Sequence, residues 1–405
     1  MNGFKGSIFS LAVAAALGAG AAQAQISDGV IKIGVLSDMS SLYTDLAGAG
    51  SVVAAKMAVE DSGIEKRGYK VEILSADHQN KPDVGSNIAR QWYDVDHVDA
   101  IVDVPNSGVA LAVNQITRDK GKAFLAVGPG TSDLTGKACS PNTVHWSYDT
   151  WMLANGTGTA ITKQGGDSWF FITADYAFGA ALERDTTAAV IRNGGKVLGD
   201  VKVPLNTQDF SSFLLQAQAS KAKIIGLANA GGDTTNSIKQ AAEFGIVKGG
   251  QKLAGLLVFI TDIHALGLQT AQGLTFTTTF YWDLNDHTRA FAKRFSAADK
   301  GIYPTMVHAG VYAVVLDYLK AVEALKSDDG TKVIAKMKEM PTDDPLFGKG
   351  SIRADGRKIH PAYLVQVKSP AESKAPWDYY KILATIPADQ AFRPLSEGDC
   401  PLVKK

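Results

Sequence analysis

Short apolar runs of strand length alternate with helical segments along most of this chain, and that rhythm restricts its fold more than any other feature. Strands are expected at residues 30–36, 70–74, 100–104 and 123–127, with helices at 48–61, 84–92 and 109–116 between them. Such β-α alternation implies a parallel sheet with helices on both faces. The series restarts near residues 144–147. Helices are then expected at 150–162, 177–192, 210–220 and 234–244, and strands at 169–172, 196–203, 224–227, 253–258 and 274–279. The last third breaks the pattern, with helices at 288–299, 307–325 and 332–340 and shorter strands at 350–352 and 362–367. Helices without partner strands must pack on a sheet already made. The chain should therefore return to its first unit before the tail finishes on the second. The fold class is α/β, with two doubly wound parallel-sheet lobes.

Residues 1–24 read as a signal peptide: Lys5, an apolar run over 8–17, and the small-x-small triplet Ala22–Gln23–Ala24, with cleavage expected before Gln25. The run is shorter than the roughly 17–25 apolar residues of a membrane span, and no cysteine follows to carry a lipid. Export to a bacterial periplasm, as a monomer without membrane insertion, is the expectation. The mature chain is long enough for about two domains with real cores. With 41 basic and 41 acidic residues, no bulk field draws the protein to nucleic acid or anionic lipid. The two cysteines, Cys139 and Cys400, are expected to form one disulfide.

The usual catalytic signatures are missing. There is no phosphate-binding loop and no G-x-S-x-G elbow, and the seven histidines are scattered without metal-ligand spacing. Gly48–Ala49–Gly50 lacks the third glycine of a dinucleotide fingerprint, since Val53 stands there. No catalytic, metal or cofactor residues are assigned. Attention falls on the loops after each strand, because ligands of open α/β sheets bind outside the carboxyl ends of the strands. In the first unit these loops carry Tyr43, Asn106, Ser107, Gly130, Thr131 and Ser132. In the second they carry Asp175, Tyr176, Phe178, Asn229, Ala230, Gly231 and Asp233, with Tyr148 and Tyr281 near the crossings. Ser107, Thr131 and Ser132 offer hydroxyls at helix starts, which suits a carboxylate. Each taken alone reads as an N-cap.

The stretches Ile31–Lys32–Ile33–Gly34–Val35–Leu36–Ser37–Asp38–Met39–Ser40, Ala54–Ala55–Lys56–Met57–Ala58–Val59–Glu60–Asp61 and Ile238–Lys239–Gln240–Ala241–Ala242–Glu243–Phe244–Gly245 carry a likeness. So does Phe178–Gly179 after Ala174–Asp175–Tyr176. With them the chain resembles the leucine/isoleucine/valine-binding proteins, periplasmic receptors of branched-chain amino acid ABC importers. The resemblance implies two lobes joined by three crossovers, near Ser147, Tyr281 and Ile352. Lobe 1 would hold residues 25–147 and 282–352, and lobe 2 residues 148–281 and 353–405. It also implies that Ser107 and Thr131, or Ser132, hold a ligand carboxylate, that Phe178 lines the cleft, and that a membrane permease is the partner. The family places an acidic residue in the second lobe against the ligand ammonium. Here the segment 255–262 has no Glu, and Asp262 comes late. Either Asp262, Asp233 or Asp175 fills that role, or the ligand has no amine. The mouth aromatics favour an acid with an aromatic or apolar body, such as a benzoate or phenylpropenoate. A branched-chain or other apolar amino acid is the alternative within the fold. A ligand-sensing module is the alternative outside transport, and a hydrolase the third reading.

Overall fold

The computed structural model describes residues 26–404, so the expected signal peptide lies outside the described residues. The first sheet contains β1 (Ile31–Ser37), β2 (Val71–Asp77), β3 (Ala100–Asp103), β4 (Ala123–Ala126) and β5 (Thr143–His145), all parallel, in the order β2-β1-β3-β4-β5. Strands β3 and β4 are buried along their whole length. They read as short continuous runs because a parallel strand with helices on both faces has no wet side. Ile33 and Val35 face a core shared with the helices Gly48–Ser62 and Met306–Leu325. Leu36 and Ile101 face the other way, against Pro82–Asp94 and Ser107–Lys120. Met306–Leu325 is apolar nearly all round, as a helix enclosed on every side must be.

The second sheet repeats the plan with β6 (Ser168–Ala174), β7 (Lys196–Val203), β8 (Ile224–Ala228) and β9 (Lys252–Gly255), parallel in the order β7-β6-β8-β9. Beside it, β10 (Thr275–Thr278) pairs antiparallel with a later strand, described below. The chain then crosses back, and the helices Asp286–Ala298, Met306–Leu325 and Gly330–Glu339 cover the first lobe. A small antiparallel sheet of β11 (Thr342–Asp344), β12 (Gly348–Ile352) and β13 (Lys358–Ile359) follows. Finally β14 (Ala362–Val367) and β15 (Tyr380–Ile386) complete the antiparallel sheet with β10. No helix among the described residues is long and apolar enough to cross a membrane.

Two boundaries differ from the sequence reading. Residues 353–359 stay with the first lobe, because Lys358 pairs with Ile352 and Arg357 bridges to His145 beside β5. The third crossover is therefore at His360–Pro361 rather than Ile352. The tail beyond β15 also returns to the first lobe: Arg393 donates to the Ser132 carbonyl at 3.2 Å, and Cys400 is bonded to Cys139. Residues 256–258, expected to extend β9, leave the sheet and with Phe259 lead into the helix Ile260–Leu266.

The disulfide closes a loop across 261 positions, so it removes much freedom from the unfolded chain. Cys400→Ser is expected to lower the unfolding free energy by at most about 5 kcal/mol in the chain-entropy account. Urea denaturation measures it, and an unchanged midpoint would show that the tail contributes nothing to stability.

Candidate ligand cleft

In both sheets the strand order reverses beside the first strand of the unit, at β1/β3 and at β6/β8, and the loops there diverge to leave a crevice. The two crevices face one another. Between them lies a narrow space of about 10 Å³, room for about one water. Tyr43, Leu46, Pro105 and Gly130 line it from the first lobe, with Tyr148 from the crossover. Tyr176, Phe178, Ala230, Leu257 and Phe259 line it from the second. None of these wall residues carries a charge.

Each loop is held by its own chemistry. After β1, Asp38 accepts hydrogen bonds from the amides of Ser41 at 3.0 Å and Tyr43 at 2.8 Å, and from Asn80 Nδ2 at 2.6 Å. That folds the loop so that Tyr43 turns inward. After β3, Asp103 and Val104 adopt φ of +81° and +62°, a costly conformation for a β-branched residue. Ser37 Oγ donates to Asp103 Oδ2 at 2.8 Å and the Val104 amide to Leu36 O at 2.9 Å, which fixes the bend. The bend delivers Pro105 to the cavity and Asn106 to a helix start, where Asn106 Oδ1 caps the amides of Gly108 and Val109. Burial pushes the Asp103 carboxyl up to about 6, partly opposed by its hydrogen bonds.

Lobe contact requires glycine at two places. A Cβ on Gly130 would stand 2.6 Å from the Phe178 ring of the opposite lobe. One on Gly231, at φ +58°, would stand 2.6 Å from the Leu42 carbonyl. Tyr43 and Tyr176 hydrogen-bond across the same seam through their hydroxyls at 2.5 Å. Outside that seam an open polar groove of about 470 Å³ carries Asp45 from one lobe and Asp262 from the other.

The crossovers themselves are joined. Arg357 is fully buried, and its guanidinium donates to the carbonyls of Trp146, Tyr148 (3.0 Å) and Lys358 (3.0 Å), with Asp149 Oδ2 at 3.4 Å. Burial lowers its pKa to about 10 against the opposing pull of Asp149. His360 Nε2 also meets the Trp146 carbonyl, at 3.1 Å. Tyr148, whose main chain Arg357 holds, is a wall of the cavity.

A family model described as periplasmic binding protein matches residues 30–374. The chain belongs to the periplasmic binding protein family. A Leu/Ile/Val-binding protein homolog of Brucella melitensis is 24% identical over 378 residues, covering 90% of this chain and 94% of that one. A periplasmic binding protein from Burkholderia mallei is 52% identical with a TM-score of 0.91, over 93% of this chain and 100% of that one. A branched chain amino acid ABC transporter periplasmic ligand-binding protein from Burkholderia xenovorans is 42% identical with a TM-score of 0.81, over 92% and 99%. A solute binding protein from R. palustris, solved with benzoate, is 22% identical with a TM-score of 0.79, over 89% and 97%; it is alike in fold. This periplasmic binding protein is thus a solute-binding component of an ABC importer and not an enzyme. Its relatives are periplasmic, which implies export.

Of the residues singled out in the sequence, Tyr43, Gly130, Tyr148, Tyr176, Phe178 and Ala230 come together on the cavity wall. Asn106, Ser107 and Thr131 are buried but not on the cavity wall. Ser107 Oγ accepts the Thr131 amide at 3.2 Å, and Thr131 Oγ1 accepts the Asp133 amide at 3.3 Å. Ser132 is drawn to a joint between the lobes, donating to Asp185 Oδ2 at 2.7 Å and accepting from Arg184 Nη2 at 2.8 Å. Asn229 braces a helix start through Thr234 and Ser237. Gly231 forms the seam, and Asp233 lies buried behind the tyrosine pair. Asp262 accepts the Phe259 amide at 2.8 Å; burial, with some repulsion from Asp45, pushes it up to about 7. Two residues are placed elsewhere. Asp175 is exposed, and Tyr281 packs on Tyr380 at 4.9 Å beneath the antiparallel sheet. Leu46, Pro105, Leu257 and Phe259 were not singled out. For the last two, an apolar run beyond a strand could equally mean more strand.

Arg357→Met should lower unfolding free energy by about 3–5 kcal/mol, since Asp149 and the main-chain carbonyls lose their buried donor. A denaturation curve matching the wild type would show that the crossovers hold without it. Gly231→Ala should speed hydrogen exchange in residues 40–46 and 229–235 while β1 and β6 keep their protection. Unchanged exchange in both loops would remove the seam from the account.

Proposed function

We propose that the ligand is a small carboxylate on an aromatic or apolar body, captured in the periplasm for delivery to a membrane permease. The observation that carries this is the wall itself. Five aromatic rings, Tyr43, Tyr148, Tyr176, Phe178 and Phe259, surround the space and no charged side chain lines it. An ammonium enclosed there would meet no counter-charge on the wall, at a cost of several kcal/mol. A planar acid would stack on the rings. Its carboxylate would sit at the Gly130 end, where Ser107 and Thr131 stand at two chain turns. The benzoate complex at 22% identity supports only that the fold has room for such an acid. Processing before Gln25 and a monomeric state belong to the same proposal.

A second reading, an apolar amino acid, draws on the Burkholderia xenovorans relative and on the buried Asp233. Calorimetric titration of the purified protein with benzoate, cinnamate and leucine separates the two. The aromatic acids should bind and leucine should not; leucine binding without either acid would overturn the proposal. Ser107→Ala and Thr131→Ala should each weaken acid binding by about 1–3 kcal/mol. Unchanged affinity in both would move the carboxylate elsewhere.

A further inference from the structure

The chain crosses between the lobes a fourth time. Strand β15 ends in the second lobe at Ile386, paired with Ala362. Shortly after, Arg393 is held on the first lobe, where its guanidinium donates to the Ser132 carbonyl at 3.2 Å and its own carbonyl accepts from Arg353 Nη1 at 2.8 Å. Between them Gln390 is still tied to the second lobe, its carbonyl accepting from Asn155 Nδ2 at 3.1 Å. Phe392 is buried over Arg357 and stands edge-on to His360, with 5.0 Å between ring centroids. The segment from Gln390 to Arg393 can span at most about 11 Å, and Phe392 is already extended at φ −117° and ψ 157°. It has little slack. Residues 394–397 are then half-buried or exposed, and Cys400 bonds to Cys139. Cys139 stands in the same loop as Ser132, just beyond Gly136, on which a Cβ would come 2.9 Å from Arg393 Nη2. That loop also meets the second lobe, through Ser132 on Asp185 at 2.7 Å and Asp133 on Arg184 at 3.1 Å. One loop of the first lobe therefore carries the lobe joint, the Arg393 contact and the disulfide.

We propose that the C-terminal tail is a fourth crossover, a strap that the Cys139–Cys400 bond completes and that holds the lobes towards the closed form. The seam contact between Tyr43 and Tyr176 marks this arrangement as closed. Asn155 and Ser132 can grip the strap together only within its reach, so a lobe rotation that separates them breaks one grip. A contact made in one arrangement alone shifts the balance towards it. The grips are single hydrogen bonds and one buried ring, which fray readily near a chain end. The disulfide keeps them at high effective concentration. The bond thus acts on the cleft as well as on the unfolded chain, and no solute is needed for it to act.

The test is hydrogen exchange of the solute-free protein, comparing the disulfide-bonded wild type, the Cys139→Ser/Cys400→Ser double variant and disulfide-bonded Phe392→Ala. In the double variant the seam loops 40–46 and 229–235 should exchange at least about tenfold faster while β1 and β6 keep their protection. Phe392→Ala should speed the same loops by less, because the covalent crossing remains. Unchanged exchange throughout the double variant, or faster exchange confined to residues 132–139 and 388–400, would mean a tail that frays without moving the lobes and overturns the strap. Should the double variant also lose protection in β1 and β6, Phe392→Ala decides. Unchanged seam loops there overturn the strap, and faster seam loops with both sheets still protected support it.

Discussion

A buried guanidinium organises the centre of this protein. Arg357 belongs to the last crossover, yet its donors are consumed by the first, at the carbonyls of Trp146 and Tyr148 and at Asp149. Removing a cation from water is costly unless every donor is satisfied, and here main-chain carbonyls do most of that work. The Phe392 ring lies over its face, 4.4 Å from centroid to guanidinium carbon. The consequence is mechanical. Two crossovers that could bend separately are tied together, and the same contact holds the main chain of Tyr148 at the cavity. Hinge closure in two-lobed receptors shifts with differential ligand affinity for open and closed forms, so a hinge joined to the cavity wall links capture to shape.

Around that hinge the lobes are specified by small features at strand tips. The left-handed bend at Asp103–Val104 spends conformational energy to bring Pro105 to the cavity, and a buried serine–aspartate bond holds it. Gly130 and Gly231, one in each lobe, leave room for a ring and a carbonyl from across the seam. Buried acids at Asp103, Asp233 and Asp262 are all pushed up by desolvation, to about 6, 6 and 7.

Much of this was legible in the sequence because it rests on periodicity. Runs such as Ala123–Phe124–Leu125–Ala126 cannot be a wet strand, and their alternation with helical segments leaves few architectures. The tips of those strands were therefore legible, and five residues from them, with Tyr148 from a crossover, line the cavity. What local pattern could not give was set by distant partners. Arg357 looks like any surface arginine until it is placed beside residues two hundred positions away. Tyr281 sits in a polar-looking crossover, but Tyr380 arrives from the tail to bury it. The tail's return to the first lobe was implied by the cysteine pair, whose partner lies in that lobe, though the last residues were assigned to the second.

The account's central claim is that the two lobes close about this hinge on a small acid held between their strand tips. Small-angle scattering of the protein with and without saturating 4-hydroxybenzoate tests it most directly. The radius of gyration should fall on addition of the acid as open molecules are drawn into the closed form. Binding seen by calorimetry with no change in scattering would contradict the claim.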